Sequence, residues 1–119
     1  MATAVKRILT GSTNGRGIKI GATSTPGTTV HTAVSGTTSG TYDEVWLYLY
    51  NSHTADVLCT VEFGGTTAPD DNIVQTVPYK QGAFLVIPGW ILQNAVVVKV
   101  FAGTTNVIVA YGFVNAITD

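Results

Sequence analysis

Two histidines, one cysteine and seven acidic residues are the main catalytic vocabulary of this 119-residue chain. They fall in unpromising places. His31 stands among threonines in a segment with strand character, and His53 lies in a polar turn. Imidazoles in such settings serve as surface or hydrogen-bonded groups. No serine sits in a nucleophile-elbow context, so no triad is legible locally, and one assembled from distant residues is left open. Cys59 alternates with Val57, Val61 and Phe63, which predicts a buried, inert thiol. The histidines and the cysteine fit no zinc spacing. Pro69-Asp70-Asp71-Asn72 offers oxygen atoms to a calcium ion but lacks the surrounding acids of a calcium loop, so turn chemistry is the better reading. The glycine-rich run Gly11–Gly17 has no Gly-Lys-Ser/Thr ending and is not a phosphate-binding loop. The expectation is a non-enzymatic chain with no metal and no cofactor.

One constellation stands out. Trp46, Tyr48 and Tyr50 occupy alternate positions of a strand-like segment, and Val45, Leu47 and Leu49 occupy the others. Side chains of a strand point alternately to its two faces, so aromatics and aliphatics separate. If the aliphatic set faces the core, the aromatic stripe faces outward, to pack on another subunit or to stack on sugar rings. The alternative puts the aromatics in the core. A sugar site needs several convergent polar groups, and Glu44 and Asn51 are the polar side chains at the stripe's ends, so protein contact is preferred. Lys6-Arg7 joins the candidate interface as a solvated or subunit-facing basic pair, with Arg16 and Lys19 nearby. Trp90, after Pro88-Gly89, reads as a plug at the end of the fold.

Positioning these residues takes a β framework. Four Gly-Thr-Thr triplets begin at Gly27, Gly36, Gly65 and Gly103, with short apolar segments between and after them. Glycine permits tight reversals and threonine suits extended backbone. Strands are predicted over 4–9, 17–22, 28–34, 43–51, 56–63, 73–77, 82–87, 95–102 and 106–116. Asn14-Gly15 suggests a hairpin between the first two. Hairpins are also expected at 51–55 and across 103–105. No segment has a capped helical period. Eight or nine short strands in one domain predict an all-β antiparallel sandwich, jelly-roll-like, over residues 1–119, with a barrel as the runner-up.

Composition bounds the partners. Charged residues make up 11% of the chain, against roughly 25% in an average soluble protein. So few charges protect a free monomer poorly, which favours a surface covered by other subunits. The net charge of −1 argues against nucleic-acid binding through a basic face. No apolar run approaches the roughly 20 residues of a membrane helix, and none has the form of a secretion signal.

Low charge, Thr/Gly/Val richness, the opening Ala4-Val5-Lys6-Arg7-Ile8-Leu9 and the Gly-Thr-Thr pattern together resemble the small virion structural proteins of tailed bacteriophages, of the capsid decoration (cement) type. The resemblance runs along the whole chain without a diagnostic motif. It implies a protein made in the host cytoplasm that ends on the capsid surface. Its partners there would be the major capsid protein lattice and copies of itself, often as trimers. A head–tail or tail component is the nearest alternative, and a carbohydrate-binding jelly roll is the alternative from another class.

Overall fold

The computed structural model describes residues 2–119. Nine strands follow one another: β1 (Thr3–Ile8), β2 (Ile18–Ile20), β3 (Thr28–Thr32), β4 (Tyr42–Asn51), β5 (Val57–Phe63), β6 (Asn72–Val77), β7 (Phe84–Leu92), β8 (Val97–Ala102) and β9 (Ile108–Thr118). All pair antiparallel in two sheets. The first has the order β1-β9-β4-β7 with β2 also on β9, and the second has the order β3-β8-β5-β6. This is the connectivity of a jelly roll. The position of its first strand is shared by β1 and β2, which pair with successive stretches of β9.

The predicted strands are present, but three expected hairpins are not. Asn14 (φ 56°) and Gly15 (φ 82°) make their tight turn, yet β1 and β2 pair with β9 and not with each other. The 52–56 and 103–107 connections carry the chain from one sheet to the other, so β4 does not pair with β5, nor β8 with β9. The reason lies in burial. Each of these strands has an aliphatic face, and setting successive strands in opposite sheets turns both faces into one core. The 82–87 strand also runs further than predicted. β7 passes through Pro88-Gly89 by shifting register twice against β4. A proline is tolerated there because β7 is an edge strand.

The core lies between the sheets. Val45, Leu47 and Leu49 of β4 meet Val98, Val100 and Ala102 of β8 and Val57, Cys59 and Val61 of β5, all buried. Each Leu or Ile removed from water in this way contributes up to about 1.5–3 kcal/mol. Cys59 is inaccessible as expected, and burial pushes its thiol up to about 11.

Two polar devices lock the layers. His31 on β3 and Asp43 on β4 are buried, with His31 Nε2 2.7 Å from Asp43 Oδ2. The Thr10 amide donates to His31 Nδ1 at 3.1 Å, which makes Nδ1 the acceptor and leaves Nε2–H to donate to Asp43. Val34 N–H also donates to the Asp43 carboxylate. Glu62, expected on the solvent side of β5, is on the outer side but fully buried. The 23–27 segment folds over it, and Thr25 Oγ1 and Gly27 N donate to its two oxygens at 2.6 Å each.

Candidate functional site: an aromatic sheet face

The aliphatic residues of β4 face the core, so the aromatic ones stand on the outer face of the first sheet. Trp46, Tyr48 and Tyr50 are half-buried there. The register of β9 adds its own aromatics. Phe113 lies opposite Trp46, Tyr111 opposite Tyr48, and Val109 opposite Tyr50. Trp46 and Phe113 stack with centroids 6.1 Å apart and planes 13° from parallel. Such offset pairs add about 0.5–1.5 kcal/mol beyond area burial. Tyr111 is exposed, as are Ile8 on β1 and Leu85 and Ile91 on β7 beside this face.

Two glycines let the face form. At Gly112, opposite Leu47, an added Cβ would run into the Trp46 carbonyl oxygen, so β9 can sit this close to β4 only without a side chain. Gly89 has φ +81°, and an added Cβ would stand 2.7 Å from Cζ2 of Trp46. The indole therefore lies over bare backbone of β7.

Polar groups edge the aromatics. Trp46 Nε1 donates to Glu44 Oε1 at 2.7 Å, and Asn115 Nδ2 donates to the same oxygen at 3.0 Å. These two hydrogen bonds, that from Asn115 foremost, hold the Glu44 carboxyl below its ordinary value. Lys6 Nζ sits 4.6 Å from the centroid of Phe113 in a cation–π contact. Asn51, the other polar residue expected at the stripe, is on the core face. It is fully buried, donating to the Ala55 and Val77 carbonyls.

The sequence-derived interface set thus divides. Trp46, Tyr48, Tyr50 and Lys6 share one face. Arg7, adjacent to Lys6, points the other way and lines a cleft of about 290 Å³ beside His31, Asp43 and Val114. Tyr111, Phe113 and Asn115 were not singled out. Their signal was the second apolar face of the last strand, where Val109, Tyr111 and Phe113 alternate with core residues.

The His31–Asp43 pair has the geometry of a catalytic dyad but is closed on itself. One ring nitrogen takes a backbone amide and the other gives its proton to Asp43. Neither hydrogen-bonds a hydroxyl among the described residues. Trp90 packs edge-on against Phe63 of the opposite sheet, centroids 5.8 Å apart, at the rim of the sandwich. No group of three or more His, Cys, Asp or Glu among the described residues is placed to hold a metal ion. Compared with protein-family models, curated proteins and solved structures, the chain matches none.

Proposed function

We propose that this chain is a non-enzymatic virion structural protein, a capsid decoration protein that docks its aromatic sheet face on the major capsid protein lattice and associates with further copies of itself, most readily as a trimer. One observation carries the reading: an uncovered face of Trp46, Tyr48, Tyr50, Tyr111 and Phe113 on a chain with 11% charged residues. Aromatics are enriched where protein surfaces meet, and a stable contact buries roughly 800 Å² per partner. Such a face is of the right kind to be a lattice contact. The capsid as partner follows from the resemblance to phage decoration proteins, and a head–tail joint would use the same face. Jelly rolls serve both capsids and sugar-binding domains, so fold alone favours neither.

Co-sedimentation with capsids of the cognate phage tests the proposal. The native protein should pellet with capsids, and Tyr111→Ala should leave it in the supernatant with its fold intact. Failure of the native protein to pellet would count against the capsid partner.

A second reading has its own observation. Glu44, Asn115 and Lys6 converge beside Trp46 and Phe113, giving the aromatic face more polar groups than β4 alone supplies. A sugar ring stacked there would find acceptors and donors at its edge. Glycan-array binding that is lost in Trp46→Ala would favour this reading over the capsid.

A further inference from the structure

Five strands lie at sheet edges: β1, β2 and β7 in the first sheet, β3 and β6 in the second, with β2 only three residues long. An edge presents unpaired backbone groups that invite another chain unless something blocks them. β7 is blocked by Pro88, which has no N–H, and by two breaks in register. β3 is blocked by the loop after β1, where Gly11 N–H donates to the Val30 carbonyl and Thr32 N–H to Thr10 Oγ1. It also carries a bulge between Thr29 and His31. β1 and β6 carry no proline or register break, and on β6 only the Asn72 N–H, bonded to the Pro69 carbonyl, and the Thr76 carbonyl, bonded by Gln75 Nε2, are taken locally. Each keeps its register over six residues and has no strand on its second side among the described residues.

The two open edges are unlike in charge. β1 carries Lys6 and Arg7, and β6 follows directly on Asp70 and Asp71. They also sit at different ends of the layers, because the loop after β1 joins the β3 side of the second sheet and leaves β6 on the far side.

We propose that β1 of one copy adds antiparallel to β6 of the next, a head-to-tail contact between copies of this chain that joins the first sheet of one to the second sheet of its neighbour. With Ala4 opposite Val74, Lys6 falls opposite Asn72 and Arg7 comes alongside Asp71, the last residue of the turn that leads into β6. Val74 is 57% exposed, apolar surface that this contact covers. A two-fold contact of β1 with a second β1 would instead crowd two Lys6-Arg7 pairs into one ribbon, and like charges on facing strands are unfavourable. A head-to-tail contact uses two different surfaces, so it closes into a ring or runs on as a filament. The inference rests on the self-association proposed above and names the surfaces that make it.

Site-directed cross-linking tests it. Ala4→Cys and Val74→Cys are made as separate proteins, mixed, and treated with a short bis-maleimide; Cys59 is buried and does not compete. The expected product is a dimer containing one of each variant, with no Ala4→Cys pair. Arg7→Glu should weaken association roughly tenfold, and adding Asp71→Lys should recover most of the loss. A cross-linked Ala4→Cys pair overturns the proposal in favour of the two-fold contact. Oligomers by light scattering without the mixed product overturn this interface and leave self-association standing. A monomer at micromolar concentration overturns both. Circular dichroism of each variant against the native protein verifies that the variants compared are folded.

Discussion

The Trp46 indole and Gly89 occupy one another's space: the ring rests where a β-carbon on the glycine would have to go, 2.7 Å from Cζ2. Gly89→Ala should therefore strain a φ of +81° and push the indole off β7, at a cost of about 1–3 kcal/mol. Urea denaturation measures it. A midpoint equal to that of the native protein would mean that the indole is not held in this place.

Trp46→Ala should behave as a surface change with a structural component. The ring is half-buried and stacked on Phe113, so the loss in stability should be about 1–2 kcal/mol, below the ~3–5 kcal/mol of a fully buried Trp. Association with the partner should fall much further. Thermal melting and co-sedimentation on the same variant separate the two effects.

His31 and Asp43 should be strongly coupled. Removing either leaves a buried polar or charged group without its partner, which costs about 3 kcal/mol or more. His31→Ala also frees the Thr10 amide. The double variant should cost clearly less than the sum of the two single changes. Strict additivity in urea melts would show that the pair is not an energetic unit.

Cys59 should resist reagents. Its thiol is inaccessible, and burial raises it to about 11, so little thiolate forms at pH 8. Labelling by a disulfide reagent should be slow in the native protein and fast in denaturant. Equal rates would mean that the sandwich opens at this strand.

Glu44 gives the aromatic face a dependence on acid. Its carboxyl is held below the ordinary value of 4.5 by hydrogen bonds from Asn115 and Trp46. A depressed folded value means that this stabilisation is present above pH 4.5 and is lost as pH falls through the folded value. The group lies near solvent, so the effect on stability is small. Its effect on Trp46 should be visible. In a Trp90→Phe background, indole fluorescence should titrate below pH 4.5, and Asn115→Ala should move the midpoint up. A midpoint that does not move in Asn115→Ala would remove Asn115 as the cause.

Strand existence was legible because apolar and polar residues alternate so plainly in Asp43–Asn51 and Val57–Phe63. Pairing was not. A tight turn through Asn14-Gly15, or through Asn106 at φ 63°, has the same local chemistry whether the strands it connects pair with each other or, as here, with other strands. Which happens is decided by burial of faces far apart in the chain. The site was half legible for the same reason. Trp46, Tyr48 and Tyr50 declare themselves on one strand, but Phe113 and Asn115 reach them only through the β4–β9 register. Glu62 looked solvent-facing because the segment that covers it lies 35 residues or more away.

The division of β9's edge between β1 and β2 gives one strand two fates. Ile108–Ala110 pair with β2, whose Ile20 is buried, so their amides can open only when the core does. Residues 113–118 pair with β1, whose six residues are all exposed. Releasing β1 strips cover from Val114, at the margin of the core, and leaves its centre closed, so it is the kind of local opening that occurs below the free energy of global unfolding. Hydrogen exchange should therefore be faster at the β9 amides beyond Gly112 that bond β1 than at those that bond β2 or β4. β1 is then the part of the sandwich that loosens first, while the two-layered body behind it stays closed.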